Sequence, residues 1–278
     1  MLEIKFNTSE KVNFLNINIF SIQKKINVYN ILKQAFDQNV LVDKENQILF
    51  NFIQHTQNFK NYRSQIFQDL FASFVIDKNF QNTFLEFGAT NGIELSNTFV
   101  LEQELGWSGT LVEPDIQWIN QLKKNRPKSK IIEKCIWKKS NEKLNFFSSG
   151  RGVLSTLDQF KLSDQETLPV NVKDRLKSGK NIIVETISLN DLIKEFLNDK
   201  CPSYISVDTE GSEFEILNAF DFSKYFPALF TVEHNFTNLE KKIDKLMISN
   251  GYTRIFRELT SVDAWYLSQT AMDKLRSH

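Results

Sequence analysis

Four short apolar runs in this sequence end in acidic side chains, namely Glu86, Glu113, Asp208 and Glu233. Apolar runs of this length, bounded by turn signals, predict buried β-strands. A buried strand has little use for a terminal carboxylate unless a ligand or another side chain pairs with it. Because the carboxyl ends of parallel strands share one edge of a sheet, the four acids predict a polar ligand site at that edge.

The first run leads into the spacing Glu86-x-Gly88-x-x-x-Gly92. Glycines allow positive φ angles and a close approach of the backbone to a ligand. A helix predicted over residues 94–105 would begin at this turn and direct its free N–H groups at acceptor atoms. The spacing differs from the Gly-x-Gly-x-x-Gly of dinucleotide-binding enzymes. A carboxylate at the turn suits an ammonium group, such as that of the methionine part of S-adenosylmethionine, and the alternative is a strand–turn–helix connection without a ligand.

Two further features extend the predicted ligand site. Glu113 follows the glycine turn at about the 20-residue distance at which nucleotide-binding α/β folds place an acid on the ribose hydroxyls. Pro114 behind it suits the first turn after a strand. Upstream, a helix predicted over residues 62–76 has Gln65 and Asp69 four residues apart on one face. These two side chains are either a solvated polar face or lie over the mouth of the cofactor site.

Strands and helices alternate from residue 84 to residue 249, which predicts an α/β fold with a parallel sheet and helices on both faces. A third strand is predicted over residues 130–136, and residues 252–257 and 263–267 predict a closing pair. Residues 137–185 break the alternation with a strand, a turn rich in serine and glycine, and a polar stretch. This insertion is either a flap that contacts the substrate or a surface loop.

The chain divides into a predicted N-terminal extension, residues 1–60, and a main domain, residues 61–278. Partial alternation over residues 12–20 indicates a strand, and helical spacing predicts helices over residues 28–38 and 43–57. No side chain in the extension suggests chemistry. We expect it to act as a lid, a substrate cover or an oligomer contact.

The composition limits the classes of function. The chain has 278 residues, 41% of them apolar, which is enough for one sizeable core. Basic and acidic residues number 34 each, so the formal net charge is zero and no general attraction to nucleic acid or anionic membranes is expected. Cys135 and Cys201 form no Cys-x-x-Cys pair and histidines are rare, which argues against a zinc site. The isolated thiols, the lack of a signal pattern and the lack of a run of about 20 apolar residues predict a cytoplasmic protein without a membrane span.

Taken together, the motifs resemble those of the FkbM-type methyltransferases. The resemblance rests on Gly-Ala-Thr-Asn-Gly-Ile-Glu-Leu-Ser-Asn-Thr within residues 84–98, Leu-Gly-Trp-Ser-Gly at 105–109 with Val-Glu-Pro at 112–114, Ser64-Gln65 with Gln68-Asp69, and Ser-Val-Asp-Thr-Glu-Gly-Ser-Glu at 206–213. It extends over residues 62–267. It implies the class I fold of S-adenosylmethionine-dependent methyltransferases, which is Rossmann-like. Such a fold has a seven-stranded, mostly parallel sheet with a reversed last strand and helices on both faces.

The resemblance also implies O-methylation, commonly of sugars in polysaccharides, glycolipids or secondary metabolites, with S-adenosylhomocysteine as the product. It implies that Glu86, Gly88 and Gly92 line the methionine part of the cofactor and that Glu113 holds the ribose. The other predicted cofactor-binding residues are Gln65, Asp69, Ala89, Asn91, Ser96, Asn97, Pro114, Cys135, Ile136 and Asp208. Two departures are Thr209, where many members have an apolar residue, and Glu86, where many have aspartate. Neither departure removes a carboxylate from a strand end.

Transfer of a methyl group to oxygen requires alignment of the acceptor with the methyl group and removal of the hydroxyl proton. The predicted catalytic residues are Asp208, Glu210 and His234, of which the resemblance directs the first two toward the transferred methyl. His234 has the most suitable unperturbed pKa for a base, although a lone histidine at a strand end more often has a structural role. An alternative that is not favoured uses Mg²⁺, with ligands from Asp208, Glu210, Glu233, His234 and Asn235.

Other classes of function stay open. A dinucleotide-dependent oxidoreductase would share half of the fold, but the Gly-x-Gly turn is missing. A non-catalytic Rossmann-like binding module would have no use for the acids and glycines at the strand ends. A nucleic-acid methyltransferase is disfavoured by the zero net charge and by the lack of an Asn-Pro-Pro-Tyr-like motif at residues 208–211. We expect a small molecule or a glycan as acceptor, recognised through residues 1–60 and 137–185.

Overall fold

This computed structural model describes residues 44–76, 80–257 and 259–277, and the elements predicted over residues 12–20 and 28–38 lie outside them. The strands in chain order are β1 (Thr83–Phe87), β2 (Ser108–Val112), β3 (Lys130–Ile132), β4 (Cys135–Trp137), β5 (Lys143–Ser149), β6 (Thr156–Leu157), β7 (Gly179–Ser188), β8 (Tyr204–Val207), β9 (Leu229–Glu233), β10 (Tyr252–Ile255) and β11 (Asp263–Ser268). The helices are α1 (Lys44–Thr56), α2 (Gln68–Val75), α3 (Phe99–Gln103), α4 (Ile116–Asn125), α5 (Pro169–Lys177), α6 (Leu189–Phe196), α7 (Glu213–Asn218), α8 (Leu239–Ser249) and α9 (Gln269–Ser277). None of these helices is long and apolar enough to cross a membrane.

Seven strands form the central sheet, in the order β10-β11-β9-β8-β1-β2-β3. Strands β9, β8, β1, β2 and β3 pair in parallel, and Phe84 of β1 lies between Gly109 of β2 and Tyr204 of β8. Strand β11 is antiparallel to both of its neighbours, β9 and β10. The predicted α/β fold with a seven-stranded sheet is therefore confirmed, and the sheet is mixed rather than wholly parallel.

Side chains of the central strands alternate between two hydrophobic clusters. Phe84 and Tyr204 belong to one cluster, together with residues of α1, α2 and α9. Leu85 and Ile205 belong to the other, together with residues of α6, α7 and α8. The two-residue period of a strand produces this division, so each cluster lies on one face of the sheet.

Helix α1 falls within the segment predicted as an N-terminal extension. Its residues Ile48 and Phe52 are buried in the same cluster as Phe71 of α2 and Trp265 of β11. The rings of Phe52 and Phe71 meet edge to face, with centroids 5.1 Å apart. The described end of the extension thus packs against the helices of the central sheet. The domain boundary after residue 60 and the role of the extension stay predictions.

The insertion over residues 137–185 contributes most of a second sheet, in the order β4-β7-β5-β6. Trp137, Phe146, Leu157 and Val184 are buried in a cluster of their own on this sheet. The insertion is therefore ordered. It also contains the helix α5, where the polar composition had predicted only an irregular stretch. The single strand predicted over residues 130–136 is wrong, because β3 joins the central sheet while β4 pairs with β7.

The helix predicted directly after the glycine turn begins later than expected. Only α3, five residues long, is helical in the predicted range 94–105. Residues 96–98 are held instead by the carboxylate of Glu86, which accepts hydrogen bonds from the backbone N–H of Asn97 and from the hydroxyl groups of Ser96 and Thr98. The free N–H groups of a helix start are therefore not present at the turn.

The helix predicted over residues 62–76 is also shorter, since α2 begins at Gln68. Phe67 in front of it has a φ angle of 73°, which is incompatible with a continuing right-handed helix. Gln65 consequently precedes α2, and the expected i, i+4 pair of Gln65 and Asp69 on one helix face is wrong. At the start of α2, Gln68 accepts a hydrogen bond from the N–H of Ile66, and its amide group donates to the carboxylate of Asp263.

Candidate active site

A cavity of about 320 Å³ lies where the carboxyl ends of β1, β2, β8 and β9 meet. The predicted site residues that line it are Gln65, Glu86, Gly88, Ser96, Glu113, Pro114, Cys135, Ile136, Asp208, Glu210, Glu233 and Asn235. The second sheet and its connections supply another part of the wall, including Phe146, Leu157 and Asn171. The four strand-end acids therefore meet at one cavity, while their individual roles stay predictions.

Other predicted site residues do not line this cavity, namely Asp69, Ala89, Asn91, Gly92, Asn97 and His234. Several of them support the backbone nearby. Asn91 accepts hydrogen bonds of 2.9 Å from the N–H groups of Ile93 and Glu94, which fixes the glycine turn. Asp69 is fully buried and accepts hydrogen bonds from the hydroxyl of Ser64 and the N–H of Leu70.

Glu86 both lines the cavity and organises the loop beside it. One carboxylate oxygen accepts the N–H of Asn97 at 2.8 Å, and the other accepts the hydroxyls of Ser96, at 3.0 Å, and Thr98. Such hydrogen bonds to a buried carboxylate are strong because they are charge-assisted. Glu86 therefore fixes the position of residues 96–98, and Nη1 of the buried Arg126 lies 3.8 Å from its Oε2.

Arg126 also holds this loop in place, although no pattern in the sequence indicated such a role. Its guanidinium is fully buried, lies 2.8 Å from Glu102, and donates to the hydroxyl of Ser96 and the carbonyl of Gly92. A Cβ atom on Gly92 would come within 2.6 Å of the Arg126 side chain. Gly92 is thus required for packing rather than for contact with a ligand. Arg126 follows Lys123, Lys124 and Asn125 in the sequence, a run that suggests an ordinary exposed helix end.

Gly88 brings the end of β1 against the end of β8. Its φ angle is +69°, and a Cβ atom at this position would overlap the carbonyl oxygen of Asp208. Only glycine therefore lets the two strand ends approach this closely. The approach sets Asp208 next to the glycine turn.

Glu113 directly follows the carboxyl end of β2, and both of its carboxylate oxygens accept hydrogen bonds. They accept 2.8 Å hydrogen bonds from the N–H groups of Thr90 and Asp115. Burial raises the pKa of Glu113 to about 7, against the lowering effect of these two hydrogen bonds. The carboxyl group thus changes charge near neutral pH while it faces the cavity.

The turn after β8 owes its shape to a different acid, Glu213. Its carboxylate accepts hydrogen bonds from the N–H groups of Thr209 and Gly211 at 2.9 to 3.1 Å. Glu210, between them, has a φ angle of +58°. This arrangement leaves the side chains of Asp208 and Glu210 to line the cavity.

Asp208, Glu210 and Glu233 form a group that we call the acid cluster. One carboxylate oxygen from each lies within 4.8 Å of the others. Burial, and then repulsion from the neighbouring carboxylates, raises the pKa of Asp208 and Glu233 well above the usual range. Burial raises the pKa of Glu210 to about 8, although Arg175 opposes the shift.

Arg175 of α5 is the second functional residue that the sequence did not reveal. Its side chain is fully buried and lies 2.8 Å from Oε2 of Glu210 and 2.6 Å from Asp164. It also donates to the carbonyl groups of Leu154 and Lys161. The insertion is thus joined to the acid cluster by this guanidinium, and the hydroxyl groups of Thr156 and Ser163 also donate to the carbonyl of Glu210.

His234 follows β9 but turns away from the cavity. Its Nδ1 accepts the N–H of Phe236 at 3.1 Å, so the ring proton resides on Nε2, which donates to the carbonyl of Asp263 at 3.0 Å. Burial lowers the pKa of His234, which favours this neutral form. Both ring nitrogens of His234 are therefore hydrogen-bonded to the backbone, and the basic atoms that line the cavity are those of carboxylates such as Glu113 and the acid cluster.

The lining residues determine what this cavity can do. The carboxylates of Glu113, Asp208, Glu210 and Glu233 accept hydrogen bonds from hydroxyl or ammonium donors. Burial raises the pKa of Glu113 to about 7 and that of Glu210 to about 8, so these two groups exchange protons near neutral pH. Apolar walls from Ile136 and from the second sheet suit a flat, uncharged part of a ligand.

Known proteins resemble this chain in sequence and in structure. The family described as "Methyltransferase FkbM domain" matches residues 86–254. Among solved structures, the chain is similar to the precorrin-6y C5,15-methyltransferase from Geobacter metallireducens GS-15, with 10% sequence identity and a TM-score of 0.36 over 72% of this chain and 80% of that chain. No curated protein gives a significant match.

Proposed function

This chain belongs to the FkbM family of methyltransferases, and we propose that it O-methylates a hydroxyl group of a sugar in a glycan, a glycolipid or a secondary metabolite. The family implies S-adenosylmethionine as the methyl donor. The observation that carries the proposal is the meeting of four strand-end acids at one cavity of about 320 Å³. The position of the reversed β11 between β9 and β10 supports the Rossmann-like, class I form of the methyltransferase fold.

The residues at the cavity fit this donor. Bound S-adenosylmethionine would supply an electrophilic methyl group on its sulfonium. Glu113 offers carboxylate oxygens to the ribose hydroxyls, and Ile136 and Pro114 beside it offer apolar surface to the adenine. At the glycine turn, Gly88 lines the cavity beside the carbonyl of Asp208, and Glu86 offers a carboxylate to an ammonium group. Gln65 lies at the exposed edge of the same cavity.

Asp208 is the residue that we propose as the acceptor of the hydroxyl proton. It is the least buried member of the acid cluster and therefore the most accessible to a substrate. Burial, and then repulsion from neighbouring carboxylates, raises the pKa of Asp208, which makes its carboxylate a stronger base. Glu210 would orient the acceptor, since Arg175 and Asn235 already fix one of its oxygens.

A sugar suits this cavity better than an apolar acceptor. The carboxylates of Asp208, Glu210 and Glu233 can accept hydrogen bonds from several hydroxyl groups, and a sugar has hydroxyl groups on neighbouring carbons. The wall supplied by Phe146 and Leu157 of the second sheet offers apolar surface for the face of a sugar ring. The insertion is thus the part of the chain that we propose to select the acceptor.

Calorimetric titration of S-adenosylmethionine and S-adenosylhomocysteine tests the cofactor site. We expect the wild type to bind both, Glu113→Ala to lose at least about tenfold in affinity, and the exposed control Glu133→Ala to bind as the wild type does. Transfer of labelled methyl groups to a panel of sugars then tests the reaction, with Asp208→Asn expected to lose about 10²- to 10⁴-fold in turnover. Absence of cofactor binding by the folded wild type, with and without the sugars, would contradict the proposal.

A further inference from the structure

The acid cluster has the geometry of a cation site. Oxygen atoms from Asp208, Glu210 and Glu233 lie within 4.8 Å of one another. Magnesium binds oxygen ligands at about 2.0–2.1 Å in octahedral geometry, so ligands on opposite sides of the ion are roughly 4 Å apart. Small side-chain rotations would therefore bring all three oxygens into one coordination shell. His234 does not belong to this set, because both of its ring nitrogens are hydrogen-bonded to the backbone.

A second observation concerns Glu233 alone. Its Oε2 atom is buried and has no hydrogen-bond partner among the residues that the structure describes. The residue is 8% exposed and lines the cavity. A buried carboxylate oxygen without a donor is costly, and native structures normally satisfy such an atom with a ligand, a water or an ion. Glu233 thus presents an unsatisfied ligand atom at the cavity.

The charges around the acid cluster do not balance within the described part of the chain. Arg175 forms an ion pair with Glu210, but no arginine or lysine in the described ranges forms one with Asp208 or Glu233. Arg175 and Asn235 both donate to Oε2 of Glu210, and no hydrogen bond to its Oε1 is present in that part of the structure. In their ionised forms Asp208 and Glu233 therefore lack a counter-charge among the described residues, and one divalent ion would supply it.

We propose that Asp208, Glu210 and Glu233 bind a divalent cation, Mg²⁺ or Mn²⁺, at the carboxyl ends of β8 and β9. The binding of the ion rests on these side chains alone. Its role rests on the proposed function: open coordination positions would hold two neighbouring hydroxyl groups of a sugar acceptor. The ion would then fix which hydroxyl of the acceptor lies beside Asp208. Arg175 is a positioning residue in this arrangement, because it holds Glu210 in place from the side of the insertion.

Titration of the EDTA-treated full-length protein with Mn²⁺ tests the site, with free Mn²⁺ followed by electron paramagnetic resonance. We expect one strong site per chain, displaced by Mg²⁺. The near-isosteric variants Asp208→Asn and Glu233→Gln should each lose at least about tenfold in Mn²⁺ affinity. Glu94→Gln is the matched control, because Glu94 lines the same cavity but lies outside the acid cluster. Circular dichroism establishes that each variant is folded.

Titration of S-adenosylhomocysteine in EDTA separates this proposal from the proposed function. Cofactor binding without any Mn²⁺ binding at millimolar concentration would overturn the cation site and leave the methyltransferase function standing. Mn²⁺ binding that is equal in the wild type and in Glu233→Gln would overturn it as well, since the ion would then be bound elsewhere. Mn²⁺ binding that depends on Asp208 and Glu233, in a protein that binds no cofactor, would support the cation site while the proposed function fails.

Discussion

The guanidinium of Arg175 lies 2.8 Å from Oε2 of Glu210, and both side chains are buried. Helix α5 of the insertion and the turn after β8 are thereby joined across 35 positions of the sequence. The same guanidinium contacts Asp164, so one cation serves two buried carboxylates. The insertion is consequently part of the site wall and is bonded directly to its acids.

Removal of this cation should destabilise the protein. Breaking a buried ion pair by removal of one partner costs about 3–5 kcal/mol, so we expect Arg175→Met to lose that much free energy of unfolding in urea titrations. Arg151→Met is the matched control, because Arg151 is 58% exposed and lies 3.6 Å from Asp174. An exposed pair of this kind contributes about 0–1 kcal/mol. Equal stability of the two variants would show that the buried pair is unimportant.

Two glycines with almost the same backbone angle allow a second test. Gly88 has a φ of +69° and Gly106 a φ of +68°, but only at Gly88 would a Cβ atom meet another group, the carbonyl of Asp208. Gly106→Ala should therefore cost only the roughly 1–2 kcal/mol of a left-handed alanine. Gly88→Ala should cost clearly more in thermal unfolding, and it should also weaken S-adenosylhomocysteine binding. The prediction fails if both variants lose the same stability and keep the same affinity.

The affinity for S-adenosylhomocysteine should depend on pH through Glu113, whose pKa is raised by burial to about 7. The ionised carboxylate accepts hydroxyl hydrogen bonds better than the protonated group does, so binding should release a proton. Between pH 6 and pH 8 the affinity should rise by about tenfold. In Glu113→Gln the affinity should be weak and nearly independent of pH. A wild-type affinity that is flat over this range would exclude Glu113 as the titrating group.

The stability of the fold should fall as pH rises through the titration of Asp69, whose pKa burial raises from 3.8 to about 6. Below pH 3.8 the carboxyl is protonated in the folded and unfolded states alike. Between these two pKa values the unfolded chain ionises while the folded chain keeps its proton, so ionisation favours unfolding. Above pH 6 the loss is complete, on the order of 3 kcal/mol.

Asp69→Asn isolates this effect, because the amide does not titrate and all other groups are shared. Urea unfolding of wild type and variant at pH 4.5 and pH 7.5 gives the difference in free energy at each pH. We expect the wild type to lose most of the 3 kcal/mol relative to the variant over this interval, on the order of magnitude given by the linkage. A difference between the two proteins that does not change with pH would refute the assignment.

The local sequence pattern was sufficient to predict most strands of the central sheet. Apolar runs between turn signals located β1, β2, β8 and β9 and placed an acid at the end of each. Strand geometry then requires these acids to share one edge, because parallel strands end on the same side of a sheet. The glycine and acid motifs that carry the family resemblance are also local, and the family match confirms that resemblance.

Local pattern failed where a distant side chain competes with secondary structure. Residues 96–98 lie in a predicted helix, but the carboxylate of Glu86 accepts the N–H of Asn97 and the hydroxyl groups of Ser96 and Thr98. The polar composition of residues 169–177 did not predict the helix α5. The contact between Arg175 and Glu210 makes this helix part of the site. Hydrogen bonds between positions this far apart leave no periodic signal in the sequence.

The sequence by itself thus determined most strands of the central sheet, the acids at the strand ends and the resemblance to a methyltransferase family. Only the tertiary structure decided which of those polar residues face the cavity, because that depends on how Arg126, Arg175 and Glu213 are buried and paired. In the tertiary structure, His234 is hydrogen-bonded to the backbone of Asp263, and Glu233 has an oxygen without a hydrogen-bond partner among the described residues. The physical reason is that burial and long-range pairing fix the direction of a side chain, whereas spacing along the chain fixes only the face or strand end to which it belongs.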